Sequence, residues 1–221
     1  MGMAEAYSIH SFSVFPERVA RMNDRFARVG LSINWETDVL TIDDPRNLER
    51  SQPYAVMRGH MSSIHSFLRT GCEFGVICED DVLIRRSFVA DLAVAISGFV
   101  ALELDLLLLG YLLNHNPVTT HGGLTLVGPQ FLFLGYPEDL WGAEMYLVCR
   151  RSALALVEAF DDSTRVSGPY SPDWTITKHG KRACIYPMLA VEEGESRGGS
   201  EVHARYHREC HRAQFDPEVH I

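Results

Sequence analysis

The residues in this chain best suited to chemistry lie in the segment Val76-Ile77-Cys78-Glu79-Asp80-Asp81-Val82-Leu83-Ile84, where three consecutive carboxylates separate two apolar, β-branched runs. A strand can bury such flanks and end in an acidic cluster at its exposed tip. Three like charges at one tip repel and call for a compensating cation. Hard divalent ions such as Mg²⁺ or Mn²⁺ prefer carboxylate oxygens, and Mg²⁺ takes one or two of them together with substrate phosphates. The segment is therefore a candidate metal-assisted phosphate or nucleotide site, with a solvated acidic turn as the alternative. On a straight strand Glu79 and Asp81, two apart, share a face. Asp81 is the first candidate metal ligand and Glu79 the second, with Asp80 turned elsewhere, to a ribose hydroxyl or a sugar; the assignment can reverse if the segment is already a turn.

The elements that must position this cluster follow a βαβα rhythm. Ala6 to Val14 predicts a first strand, and Pro16 opens a helix with Val19, Met22, Phe26 and Val29 at helical spacing. A second strand is expected at Leu31 to Trp35. A second helix, Tyr54 to Leu68, carries Met57, Met61, Ile64 and Leu68 on one side. Phe74 to Cys78 is the third strand, Ser87 to Phe99 a third helix, and Leu104 to Leu109 a fourth strand. Such alternation predicts an α/β fold, a mostly parallel sheet with helices on both faces. Between Asn114 and Tyr136 turn residues alternate with short apolar runs, as in an antiparallel hairpin. Gly142 to Cys149 and Ala183 to Tyr186 read as further strands, with a helix at Ser152 to Phe160 between them.

Composition bounds the function. The 221 residues suit one domain, 1–195, followed by a polar C-terminal tail, 196–221, packed on it or extending from it. The net charge of −9 speaks against a nucleic-acid partner and obliges any phosphate substrate to find a metal or a local basic cluster. Five scattered cysteines without a CxxC pair favour reduced thiols in the cytoplasm. The opening MGMAEAYSIHSF lacks the basic and apolar regions of a signal peptide, and Ala6 stands where a myristoylation motif needs Ser or Thr. The apolar stretch Val100 to Leu113, interrupted by Glu103 and Asp105, is too short to span a bilayer, so no transmembrane segment is expected.

The order of several motifs resembles glycosyltransferase family 25, the group that includes bacterial lipooligosaccharide galactosyltransferases, collagen glycosyltransferases and related viral enzymes. Ser13-Val14-Phe15-Pro16-Glu17-Arg18 and the following Val19 to Met22 look like its opening strand and Arg-containing helix start. Gly59 to Leu68 with His65 resembles its Ser-His helix, with Ile64 in place of the serine. Val76 to Ile84 matches its acidic strand end. Trp141 to Val148, followed by Arg151-Ser152-Ala153, resembles its Gly-x-x-Ala-Tyr strand and helix. Leu104-Asp105-Leu106, Pro172-Asp173-Trp174 and Ser200-Glu201-Val202 are weaker echoes, the last where the family more often has Ser-Asp-Ile. The resemblance implies a GT-A-like nucleotide-sugar-binding fold, a divalent metal (Mn²⁺ or Mg²⁺), and transfer of a hexose or deoxyhexose with inversion. The donor is often UDP-linked, and the acceptor is a glycan or glycoprotein.

Inversion needs a base for the acceptor hydroxyl. Candidates are Asp173, beside Trp174 whose ring can face a sugar, then Glu144 and Asp105; capping of a short helix is the competing role for Asp173. Arg18 is the first candidate for the diphosphate, ahead of Arg21 and Arg58. His60 and His65 read by default as core histidines, and His65 is also a candidate donor contact through its family match. His203, His207 and His211, spaced by four with Cys210 alongside, form a stripe that could hold zinc or simply pack. Two other functions fit the composition: a non-catalytic partner- or glycan-binding domain of the same fold, and a metal-dependent phosphohydrolase. The latter needs an acid early in the chain, and the first strand ends in Ser-Phe-Ser.

Overall fold

The computed structural model describes residues 6–115, 124–127, 130–135, 140–194 and 200–221. The opening Met1 to Glu5, part of the turn-rich stretch between Asn114 and Tyr136, and the first residues of the 196–221 tail lie outside these.

Among the described residues the main sheet has eight strands: β1 (Tyr7–Phe12), β2 (Asn34–Glu36), β3 (Phe74–Cys78), β5 (Leu106–Leu112), β6 (Leu124–Val127), β7 (Phe131–Leu134), β8 (Trp141–Cys149) and β9 (Arg182–Tyr186). Their order is β2-β1-β3-β8-β5-β9-β7-β6. β1 pairs parallel with β2 and β3, and β5 with β9, while β8 runs antiparallel between β3 and β5 and β7 antiparallel between β9 and β6. Six of the eight strands thus point the same way, all but β7 and β8. A second sheet pairs β4 (Val82–Ile84) with β10 (Ala190–Glu192), antiparallel.

Strand alternation divides the core between two faces. Ile77 of β3 points into one cluster with Met57, Met61, Ile64 and Phe67 of α2 (Gln52–Arg69) and with Ala153 and Leu156 of α4 (Arg150–Phe160). Val76 and Cys78 point into the other, with Met22 and Phe26 of α1 (Pro16–Arg28) and Phe88, Leu92 and Ala95 of α3 (Phe88–Ala101). A sheet covered on both sides needs apolar residues at every strand position, which is why β5 is continuously buried through Leu112. It therefore extends beyond the expected end at Leu109. α2 begins where Ser51 accepts a hydrogen bond from the Tyr54 N–H at 3.2 Å, with proline in its first turn.

A strand that periodicity did not single out, β10, follows the last expected one. The polar tail contains α5 (Glu201–Gln214), capped by Ser200 and in contact with β10. Beyond it, Ile221 exchanges backbone hydrogen bonds with Ile84 at 2.9 and 3.2 Å. No helix among the described residues is long and apolar enough to cross a membrane.

His10 of β1 is fully buried, with Nε2 2.8 Å from Ser8 Oγ and no partner at Nδ1. Burial, assisted by the nearby Arg69, pushes its pKa down to about 4 from the usual 6.5. The folded state therefore resists a proton that the unfolded chain accepts. The associated stability is complete above pH 6.5 and is lost as the pH falls toward 4, at up to about 1.4 kcal/mol per pH unit. Urea midpoints at pH 7.5 and 5 should converge in His10→Phe relative to the parent chain; an equal acid loss in both proteins assigns the effect elsewhere.

Candidate active site

The carboxyl ends of β1, β3 and β5 and the beginning of the antiparallel β8 meet at one edge of the sheet, where ligands collect in open α/β folds. There they border a cleft of about 420 Å³. Glu79, Asp80 and Asp81 stand on one wall, in a turn between β3 and β4 rather than on a continuing strand. The rule that places Glu79 and Asp81 on one face of a straight strand therefore does not apply here. The turn is pinned from two sides. The Glu79 N–H donates to the Glu144 carbonyl at 2.9 Å, and the Asp81 carbonyl accepts from the Glu193 N–H at 2.8 Å.

Arg18, in the first turn of α1, lines the same cleft. Its guanidinium lies 2.6 Å from Asp80 Oδ1 and 3.1 Å from Asp81 Oδ2, and Asp80 also accepts from the Ser13 hydroxyl. Arg18 thus sets the conformation of the acidic turn before any ligand arrives. Arg21 and Arg25 are turned to Glu193, Arg21 through Nε at 3.1 Å and Nη2 at 2.8 Å. Arg58 donates to the Asp161 carbonyl at 2.8 Å.

Neither histidine of α2 lines the cleft, and His60 is the buried core residue expected of it. His65 is not in the cleft; it faces Asp161 at 3.1 Å on the outer side of α2. Fully buried His60 reaches the acidic turn instead, with Nε2 3.4 Å from Glu79 Oε1 and Nδ1 3.2 Å from the Tyr146 hydroxyl. Burial pushes its pKa down to about 3, so the ring is neutral. Phe12 packs edge-on against it at 4.9 Å, an approach possible because Gly59 has no Cβ to strike the Phe12 ring.

Asp173 and Glu144 complete the acidic wall. Asp173 lies within the 3-10 turn Pro172–Trp174, and Ser171 holds its N-cap position, so helix capping is not its task. Its Oδ1 accepts from the Gly142 N–H at 2.8 Å, leaving a second oxygen able to accept a proton. Glu144 is 5 % exposed, with Oε2 lacking a partner, and burial raises its pKa well above the usual range. Burial and the neighbouring Glu192, Glu79 and Asp173 carboxylates thus all disfavour its charged form. Asp105 is elsewhere, at the opposite end of the sheet. It borders a broader depression of about 730 Å³ and is engaged by Arg151 at 2.8 Å and the Lys181 N–H at 2.9 Å.

From α5, His203 and His207 enter the cleft with their Nε2 atoms 3.1 Å apart, and His207 Nδ1 meets Glu192 Oε2 at 2.5 Å. Burial pulls the His207 pKa down, but the hydrogen bond and charge of Glu192 outweigh it and the net shift is upward. His211 bonds the Glu192 carbonyl at 2.7 Å, and Cys210 is buried. Periodicity missed Glu192; its one signal is a short apolar run, Leu189 to Val191, ending in acid as β3 does.

Carboxylates therefore crowd this cleft. Desolvation, then Asp173 and Asp80, raises the pKa of Glu79; desolvation and Glu79 raise that of Asp81 against the pull of Arg18. Among the described residues, no group of three or more His, Cys, Asp and Glu side chains converges as a metal-coordinating set. A divalent ion that takes one or two carboxylates and completes its shell with phosphate and water asks for no such set. Surplus oxygen donors, with Glu192 Oε1 buried and unpartnered, fit that chemistry.

Gly142 has φ +107°, and a Cβ there would strike the Glu144 carboxylate and lie 2.5 Å from Leu112 N. Gly142→Ala is expected to lower stability by about 2 kcal/mol or more and to displace the Glu144 carboxylate. Thermal melting should fall by several degrees; an unshifted melt would contradict the assigned backbone.

Fold and cleft together define an α/β protein with an acidic crevice at the carboxyl edge of its sheet. No family model matches the chain, and no curated protein matches it. Among solved structures it is similar to a glycosyltransferase involved in the glycosylation of the major capsid of PBCV-1. The TM-score there is 0.45 and the identity 12 %, over 92 % of this chain and 98 % of that one. It is also similar to a mannose-1-phosphate geranyltransferase from Thermus thermophilus, with TM-score 0.46 and 9 % identity over 82 % of this chain and 73 % of that one.

Proposed function

We propose that this chain is a metal-dependent inverting glycosyltransferase of GT-A-like fold, moving a hexose or deoxyhexose from a nucleoside diphosphate, UDP in the first instance, to a glycan or glycoprotein hydroxyl. The observation that carries the reading is that the acidic turn, Asp173 and two exposed tryptophans border one cleft at the carboxyl edge of the sheet. Mn²⁺ or Mg²⁺ held by Asp81 and Glu79 would neutralise the departing diphosphate. Arg18 holds the turn in shape through Asp80 and Asp81, and His60 orients Glu79 from beneath. Asp173, anchored through one oxygen, accepts the acceptor's proton with the other. Residues 1–195 form the catalytic domain in this reading, and the 196–221 tail contributes His203 and His207. Five cysteines without disulfides suit a reducing cytoplasm.

The test is incubation with a panel of nucleotide sugars and Mn²⁺ or Mg²⁺, following free nucleoside diphosphate. Metal-dependent release from one donor supports the transferase. Turnover of simple phosphate esters alone, or binding without turnover, overturns it in favour of a phosphohydrolase or a binding domain.

A further inference from the structure

Trp141 and Trp174 remain 42 % and 44 % exposed at the cleft, their rings perpendicular (77°) with centroids 5.3 Å apart. Indoles dominate apolar burial wherever they occur, so two left together in water offer a large apolar surface for a ligand. Each is covalently tied to the candidate chemistry. Trp141 precedes Gly142 and Trp174 follows Asp173, and Gly142 N–H to Asp173 Oδ1 is the 2.8 Å hydrogen bond between the two segments. The aromatic corner and the candidate base therefore move as one unit. Lys178 Nζ, donating to the Leu140 carbonyl at 2.7 Å, lies 5.9 Å from the Trp174 ring centroid and steadies it.

We propose that Trp141 and Trp174 form an acceptor subsite for an uncharged hexopyranose unit; this deepens the transferase reading and rests on it. The C–H face of a pyranose matches an indole face in size and polarity, and its hydroxyls can reach a carboxylate at the rim. Anionic acceptors are disfavoured because Glu79, Asp80, Asp81, Asp173 and Glu192 already share the cleft. A nucleobase could also stack on indole, but its diphosphate would then lie against Asp173, a carboxylate near enough to Glu79 to raise its pKa.

The experiment is a fluorescence titration of the intact chain, without donor, using lactose, maltose and cellobiose, with sialyllactose and UDP as anionic comparisons. Trp35, bonded to Asn23 at 2.9 Å, is the only tryptophan outside the corner. At least one neutral disaccharide should give a saturable change. Trp174→Ala should weaken it roughly five- to tenfold, and Trp174→Tyr, which keeps a ring, should weaken it less. A saturable change with UDP or sialyllactose alone, or none with any sugar up to roughly 50 mM, overturns the subsite. Equal affinity in parent and Trp174→Ala does so too. Donor hydrolysis by the parent chain is measured in parallel. Hydrolysis without glycan binding removes the subsite and keeps the transferase, whereas glycan binding without hydrolysis does the reverse.

Discussion

Asp81→Asn should reduce metal-dependent donor turnover by about a hundredfold to a thousandfold, the scale of losing a preorganised charge at a reacting phosphate. It should also weaken donor affinity in the presence of Mn²⁺. Removing this carboxylate need not harm the fold. Arg18 keeps its 2.6 Å contact with Asp80, and the backbone bond from Glu193 to the Asp81 carbonyl is untouched. Glu79 and Asp81 both have raised pKa values, so the ionised pair is held at a cost in the folded chain. The variant's melting temperature in chelator should equal or exceed that of the parent, as when a functional site carries uncompensated charge. Isothermal titration with a nucleotide sugar, with and without Mn²⁺, reads the effect. Unchanged turnover removes Asp81 from the site, and a lower melting temperature assigns it a structural role.

Asp173→Asn separates chemistry from architecture more sharply. The asparagine carbonyl can still accept the Gly142 N–H, so the bond between the Pro172–Trp174 turn and β8 survives. What disappears is an oxygen that can take a proton. Transfer to acceptor should fall by about 10² to 10⁴, with donor binding and melting temperature retained. Loss of stability at unchanged transfer rate would make Asp173 a brace and direct the search for the base elsewhere. Glu144 is the less accessible candidate, at 5 % exposed against the open rim where Asp173 sits, and burial disfavours its charged form.

Much of the frame was legible because hydrophobic periodicity is a local property. The β1-α1, α2-β3 and α3-β5 alternation followed from Met22 and Phe26, from Met57, Met61 and Ile64, and from the leucines of β5, all of which are buried. Strand pairing was not legible in the same way. Nothing within Ala143 to Val148 indicates that β8 enters antiparallel between β3 and β5, because partner choice depends on residues far away in the chain. That insertion is what brings Trp141, Gly142 and Glu144 beside the acidic turn.

The sequence by itself determined the acidic cluster after an apolar strand, the helices that cover the sheet, and a net charge of −9. Only the tertiary structure decided which side chains meet that cluster: His60 in place of His65, Glu192 and His207 from the last third of the chain, and Asp105 at the far end of the sheet. The physical reason is range. Burial patterns are written within a few residues, whereas a site is assembled across a sheet by pairings whose register no short segment encodes.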